Sequence, residues 1–221
     1  PSDVIDLASV PGLGGIRREG DAVVIGAMTR HAEVACSSDV QDAIPALASL
    51  ADGIGDPQVR NCGTIGGSIA NGDPAADYPA AVVALGATVR TDRRTIAGDD
   101  FFTDLFETAL EEGEIVVSVT FPIPRRAAYA KFPNPASRYA IVGVMVADTG
   151  GGIRVAVTGA GARVFRVGAM EDALGASFSA DAIGGIQVPQ DGLNEDIHAS
   201  AEYRAHLVGV MARRAVAAAA G

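Results

Sequence analysis

The chain has 221 residues, of which 48% are hydrophobic and 20% charged, and its formal net charge is −10. That balance excludes a disordered chain and argues against a basic nucleic-acid-binding domain, and the length suits one large domain or two modest ones. Two cysteines, Cys36 and Cys62, make no disulfide framework and point to a reducing cytoplasm, and no stretch reaches the ~20 uninterrupted apolar residues of a membrane span.

In chain order, residues 22–25 read as a strand after the turn Glu19-Gly20-Asp21, and Thr29 as the N-cap of a short helix through His31 and Glu33. Residues 44–50 give another short helix, stopped before Gly53 and Pro57. From 61 to 72, glycines and small polar residues predict closely approaching backbone and not a packed element. Asp77 and Pro79 open the next helix, with its body at 80–85 and Gly86 at its end. Residues 87–91 and 115–121 alternate as strands, while 101–110 between them carries aromatic and aliphatic residues at helical spacing.

Pro122 and Pro124 end that last strand and stiffen a link, which divides the chain into residues 1–121 and 122–221. Beyond the link, 139–147 and 153–158 form a hairpin around Thr149-Gly150-Gly151-Gly152. Residues 166–174 and 182–186 read as helical. A final helix from about Ser200 places Tyr203, Leu207, Val210 and Met211 on one buried face, with Arg213 and Arg214 in its last turns.

Several chemistries lack their residues. His31, His198 and His206 share no metal-ligand spacing, so neither a metal centre nor a catalytic residue set is indicated. Gly12-Leu13-Gly14-Gly15 and Gly159-Ala160-Gly161 both miss the third glycine of a dinucleotide fingerprint, the second having Val164 in its place. No Gly-Lys-Ser/Thr and no Gly-x-Ser-x-Gly occurs. Cys62, without a second cysteine nearby, reads as a small packed residue.

The informative stretch runs from Arg60 to Pro79. Thr64 and Ser68 supply hydroxyls around a turn at Gly66 and Gly67, where backbone N–H groups could approach a pyrophosphate without a Cβ between. Asn71 and Asp73 lie on a second small-residue loop, and Asp77 caps the following helix. Such a pocket offers donors to phosphate and carboxylates to hydroxyls, as a dinucleotide with a polyol chain requires. The same residues also describe an ordinary glycine-rich loop in which Asp77 is only a cap.

Thr64-Ile65-Gly66-Gly67-Ser68 with Ala70-Asn71-Gly72-Asp73-Pro74 and Asp77-Tyr78-Pro79 resembles the second flavin motif of the FAD-binding medium subunits of the carbon monoxide dehydrogenase and xanthine dehydrogenase family of molybdenum hydroxylases. The resemblance extends to 25–29, to 131–140 and to 202–207, nearly the whole chain. It implies an α+β fold: an FAD-binding domain of the PCMH/vanillyl-alcohol-oxidase type, then a smaller α+β domain with a three-stranded antiparallel sheet and helices. It implies that Thr64, Ile65, Gly66, Gly67 and Ser68 hold the FAD pyrophosphate, and that Asn71, Asp73 and Asp77 line the same site. Asp73 and Asp77 would bond the ribityl or flavin edge, and Lys131 and Tyr139 would approach the isoalloxazine. Lys131, the one lysine among 17 basic residues, also fits a solvated charge, and Tyr139 a core strand residue whose hydroxyl reaches the surface.

The resemblance further implies an oxidoreductase subunit that passes electrons from [2Fe–2S] clusters through FAD to an acceptor such as quinone. Its partners would be a large subunit carrying the molybdenum cofactor and a small [2Fe–2S] subunit, in a dimer of heterotrimers, cytoplasmic and in peripheral contact with the membrane's inner face. Medium subunits of xanthine, nicotine or aldehyde hydroxylases using NAD or O₂, and a flavin-free assembly scaffold, are the alternatives. Such subunits carry an Ala-Gly-Gly-x-Ser loop in a preceding subdomain that does not occur in these 221 residues. The expectation is a natural chain extending before Pro1, and weakened FAD binding without that loop.

Overall fold

The computed structural model describes residues 4–220. The first part is a five-stranded antiparallel sheet with short helices on it. Its strands are β1 (Ile16–Glu19), β2 (Ala22–Gly26), β3 (Thr88–Thr91), β4 (Thr95–Ala97) and, later in the chain, Val116–Pro122, in the order β1, β2, Val116–Pro122, β3, β4. Ala22–Gly26 is apolar throughout because it lies inside this sheet and is covered on both faces. Between β2 and β3 run six helices: α1 (His31–Cys36), α2 (Ser38–Ala43), α3 (Pro45–Asp52), α4 (Pro57–Cys62), α5 (Ile65–Asn71) and α6 (Tyr78–Ala84).

After β4 come α7 (Gly98–Phe101) and a small hairpin, β5 (Phe102–Asp104) and β6 (Glu107–Thr108), before the strand Val116–Pro122, which is β7. The chain leaves the first sheet at Pro122 and enters a second at β8 (Arg126–Pro133), followed by β9 (Ala140–Asp148), β10 (Ile153–Thr158) and the two-residue β11 (Phe165–Arg166). This sheet is antiparallel in the order β11, β10, β9, β8, so three long strands carry a short fourth. Two helices follow, α8 (Gly168–Ala176) and α9 (Ala201–Ala220).

β9 shows how the layers stack. Side chains alternate between sheet faces, so Met145 and Ala147 join the core around α6, while Val142, Val144 and Val146 join the core under α9. Helix α6, Tyr-Pro-Ala-Ala-Val-Val-Ala, is buried along its whole length because it lies between the second sheet and helices α3, α5 and α7. Small side chains there let α6 pack closely on β9 and β10.

Five expectations change. Thr29 is not a cap: Glu33 accepts from the Arg30 N–H at 2.9 Å, and the Thr29 hydroxyl instead bonds Gly15. Residues 61–72 belong largely to α4 and α5, because Asp56 and Thr64 cap those helices through Val59 N–H and Gly67 N–H. Residues 101–110 are mostly a hairpin; Phe101 and Phe102, adjacent in sequence, are both buried and meet edge to face at 5.1 Å, a pairing that no single helix face gives. The segments 166–174 and 182–186 are helical only at α8 and at one 3₁₀ turn, Asp181–Ile183. In α9 Leu207 and Met211 are buried as expected and Val210 partly so, but Arg204 is inside and Tyr203 outside, and Arg213 and Arg214 lie mid-helix because the alanine-rich tail continues to Ala220.

Candidate functional site

Helix α5 forms one wall of a cavity of about 570 Å³. Segment 29–31 runs beside 63–65, with His31 N–H bonded to Gly63 at 3.0 Å and Ile65 N–H to Thr29 at 3.1 Å. That pairing points one face of α5 inward and the other at the cavity. Ile65, Gly66 and Ile69 are buried, whereas Thr64, Gly67, Ser68 and Asn71 line the cavity. The two glycines therefore have different reasons. A Cβ on Gly66 would lie 2.5 Å from the Ala27 Cβ, and the Gly66 N–H is bonded to the Ala27 carbonyl at 2.8 Å. Gly66 permits packing, not ligand approach. Gly67 faces the cavity, its N–H shared with the Thr64 hydroxyl at 3.2 Å. Neither N–H stands open as the sequence reading expected.

The loop after α5 is held from the second sheet. Thr158 Oγ1 donates toward Pro74 (2.9 Å) and Ala76 (2.6 Å), and Gly159 N–H bonds Pro74 at 2.7 Å. Asp73 and Asp77 line the cavity from this loop and its end. Asp73 accepts the Ala75 N–H at 2.8 Å, an Asx turn. Asp77 sits at the N-cap position of α6 but makes no cap bond; its carboxylate turns to Tyr129 and Lys131 on β8. Burial pushes the Asp77 pKa up, against the opposing pull of the Lys131 charge and of hydrogen bonds from Tyr129 and Lys131.

The opposite wall comes from the β8–β9 loop. Asn134 Oδ1 accepts from the N–H groups of Ala136 (2.9 Å) and Ser137 (3.1 Å), and this tight loop carries Arg138 at φ 62°, the left-handed region, against the cavity. Backbone strain of this kind concentrates at binding sites. Tyr139, next along, is 52% exposed and lines the cavity, so it is not a core residue. Lys131 does not line it. Its ammonium is taken by Asp77 and by the Gly53 carbonyl.

The structure thus brings Thr64, Gly67, Ser68, Asn71, Asp73, Asp77 and Tyr139 together, and leaves Ile65, Gly66 and Lys131 behind the wall. Sequence reading missed Arg138, His31 and Tyr129. His31 is 5% exposed and lines the cavity, its ring against Tyr78 at 5.3 Å, and its Nδ1 is buried without a partner. Burial lowers its pKa to about 4, so the imidazole is neutral near pH 7. Its position two residues after Thr29 gave no spacing signal. Cys62 is exposed on the cavity wall, not packed, because α4 buries none of its residues.

Hydroxyls, a primary amide, two carboxylates, a guanidinium and a phenol around one apolar-floored cavity fit a ligand with phosphate, polyol and aromatic parts, and the orphaned His31 Nδ1 marks a polar wall. Residues 1–124 match the family described as FAD binding domain in molybdopterin dehydrogenase. The carbon monoxide dehydrogenase medium chain of Hydrogenophaga pseudoflava is 37% identical over 99% of this chain and 82% of its own length. The nicotine 6-hydroxylase medium subunit of Paenarthrobacter nicotinovorans is also 37% identical, over 98% and 81%. The crystal structure of quinoline 2-oxidoreductase from Pseudomonas putida 86 superposes with a TM-score of 0.87 at 28% identity, covering all of this chain and 82% of that one. The chain belongs to the family of FAD-binding medium subunits of molybdenum hydroxylases, an oxidoreductase class whose cofactor is FAD.

Proposed function

We propose that this chain is the electron-transfer subunit of a molybdenum hydroxylase complex and that the complex oxidises carbon monoxide. The observation that carries the flavin part of the reading is the meeting, in one cavity, of the α5 face with Arg138 and Tyr139 from the β8–β9 loop, and the carbon monoxide part is supported by the 37% identity to a carbon monoxide dehydrogenase medium chain. The hydroxyls of Thr64 and Ser68, at the open face of Gly67, would take the pyrophosphate. Asn71, Asp73 and Asp77 would take the ribityl hydroxyls, and Tyr139 would border the isoalloxazine. FAD, when bound, supplies one-electron and two-electron transfer; the chain's residues hold and orient it. Ile65 and Gly66 serve by packing α5 against Ala27, and Lys131 by holding Asp77.

The partners we propose are a large subunit with the molybdenum cofactor, which chooses the substrate, and a small [2Fe–2S] subunit, assembled as a dimer of heterotrimers that delivers electrons to quinone. The relative that hydroxylates nicotine stands at the same identity as the one from carbon monoxide dehydrogenase, which supports nicotine-type heterocycles as a second substrate class.

The test is purification of the natural complex, with FAD, iron and molybdenum measured, and dye reduction followed with carbon monoxide or with nicotine. Stoichiometric FAD and reduction by carbon monoxide are expected. Reduction by nicotine alone moves the assignment to the second class. A complex without FAD sinks the flavin reading and leaves an assembly scaffold.

A further inference from the structure

Behind the cavity wall lies a charge network that ties the second sheet to the start of α6 and the end of α3. Asp77 is 4% exposed. Its Oδ1 accepts the Tyr129 hydroxyl at 2.5 Å, and Lys131 Nζ lies 3.0 Å from Oδ1 and 3.1 Å from Oδ2. Lys131 Nζ also donates to the Gly53 carbonyl at 2.7 Å, just past the end of α3. Tyr129 and Lys131 stand two residues apart on β8, so both point to the same face of the sheet. Gly143, opposite Lys131 in the β8–β9 register, has no side chain, and a Cβ there would overlap the Tyr129 hydroxyl. The sheet is shaped to deliver a hydroxyl and an ammonium to one carboxylate.

A carboxylate has about four acceptor positions. The network uses three, and Asp77 lines the cavity whereas Lys131 does not. We infer that Lys131 and Tyr129 are positioning residues that hold the Asp77 carboxylate ionised and turned to the cavity, where its remaining lone pair accepts from a hydroxyl of bound FAD. This rests on the flavin reading above. Burial alone would favour a neutral Asp77; the cation and the phenol oppose it, and both come from the second sheet. The other titratable groups around the cavity are His31, Cys62, Asp73, Arg138 and Tyr139, with Tyr78 next along α6. Among them, Arg138 is a cation on the cavity's far wall, so the carboxylate's charge depends on Lys131.

The experiment measures FAD affinity of the natural complex by flavin fluorescence from pH 5 to 9, for the wild type and for Lys131→Met, Lys131→Arg, Tyr129→Phe and Asp77→Asn. In Lys131→Met the affinity should break at a pH at least about one unit higher than in the wild type, and fall about tenfold per unit below the break. Tyr129→Phe should shift the break the same way by less, and Lys131→Arg should restore it. Asp77→Asn should bind weakly with no break. Lys131→Met that matches the wild type, or is weaker by one factor at every pH, overturns the inference and leaves Lys131 a structural tie. If Lys131→Met fails to fold, Tyr129→Phe decides, and an unmoved break overturns it. A wild type that binds no FAD overturns the flavin reading itself, an outcome the variants cannot mimic.

Discussion

Gly66→Ala and Gly67→Ala differ by one position and should fail in opposite ways. At Gly66 the new methyl would sit 2.5 Å from the Ala27 Cβ and 2.8 Å from the Ala27 carbonyl oxygen. Both neighbours belong to the turn after β2, whose Ala27 N–H is bonded to Val117 at 2.9 Å, so they cannot rotate away. Relief needs α5 to move by about 1 Å, an overpacking cost of roughly 1–3 kcal/mol. The same shift stretches the hydrogen bond from Gly66 N–H to Ala27 and that from Ile65 N–H to Thr29, each contributing roughly 0.5–1.5 kcal/mol. Against this stands a helix-propensity gain of about 1 kcal/mol. The net is a loss of roughly 1–5 kcal/mol, or about 2–20 °C in Tm for a chain of this size. At Gly67 the methyl meets only Thr64 Oγ1 at 3.1 Å, on the cavity side. Stability should stay within about 1 kcal/mol of wild type, while the methyl occupies space the pyrophosphate needs. Thermal unfolding followed by circular dichroism, and flavin retained after gel filtration, separate the two. If Gly66→Ala melts with the wild type, the packing account of the first glycine is wrong.

His31 gives a pH prediction. Its folded-state pKa of about 4 lies below the ordinary value of 6.5, so the unfolded chain binds more protons between those limits. Stability should be level in this contribution above pH 6.5 and fall by on the order of 2 kcal/mol, allowing for solvent screening, as the pH drops to 4. Urea titrations across that range should show it, and His31→Gln should flatten it. Cys36 and Cys62 are both exposed, and only Cys62 lines the cavity. A maleimide should label both in the flavin-free protein and only Cys36 when FAD saturates the site; equal labelling in both states would place the cofactor elsewhere. Arg204, 3% exposed, donates to the carbonyls of Ile141 (2.7 Å) and Gly159 (3.0 Å) and to Asp196 (2.6 Å). Arg204→Met strands the Ile141 carbonyl and leaves that of Gly159 only the Asn194 amide at 3.5 Å, and should cost roughly 2–4 kcal/mol in chemical denaturation, with flavin affinity in the native protein little changed.

The strands and the α6 helix were legible because periodicity and punctuation agree there: the apolar run at 22–26, the hairpin glycines at 150–152, the proline of Tyr78-Pro79. The glycine stretch was legible as a site and illegible as a structure. Glycine content reports that backbone approaches something, and only the three-dimensional position of Ala27 shows that for Gly66 the something is protein. Tyr203 and Arg204 were exchanged for a similar reason. A buried arginine needs three partners from Ile141, Gly159 and Asp196, which lie far apart in sequence, so local hydropathy favours the tyrosine. His31 and Tyr129 become visible only through a neighbour from another element, Tyr78 and Asp77, and Arg138 only through the left-handed backbone of its own β8–β9 loop.

Asp77 joins these threads. It opens a helix that must be small and apolar to fit between the second sheet and helices α3, α5 and α7, so the residue at that helix's start is carried into the interior. A lone carboxylate there would take up a proton. The second sheet supplies the counter-charge from Lys131 and the hydroxyl from Tyr129, and it supplies the Thr158 and Gly159 bonds that fix the loop just before Asp77. Docking of the second sheet on α6 and the loop before it, and formation of the cofactor wall, are therefore one event. A substitution at Gly143, remote from the cavity lining, should displace the Tyr129 hydroxyl and weaken flavin binding through Asp77.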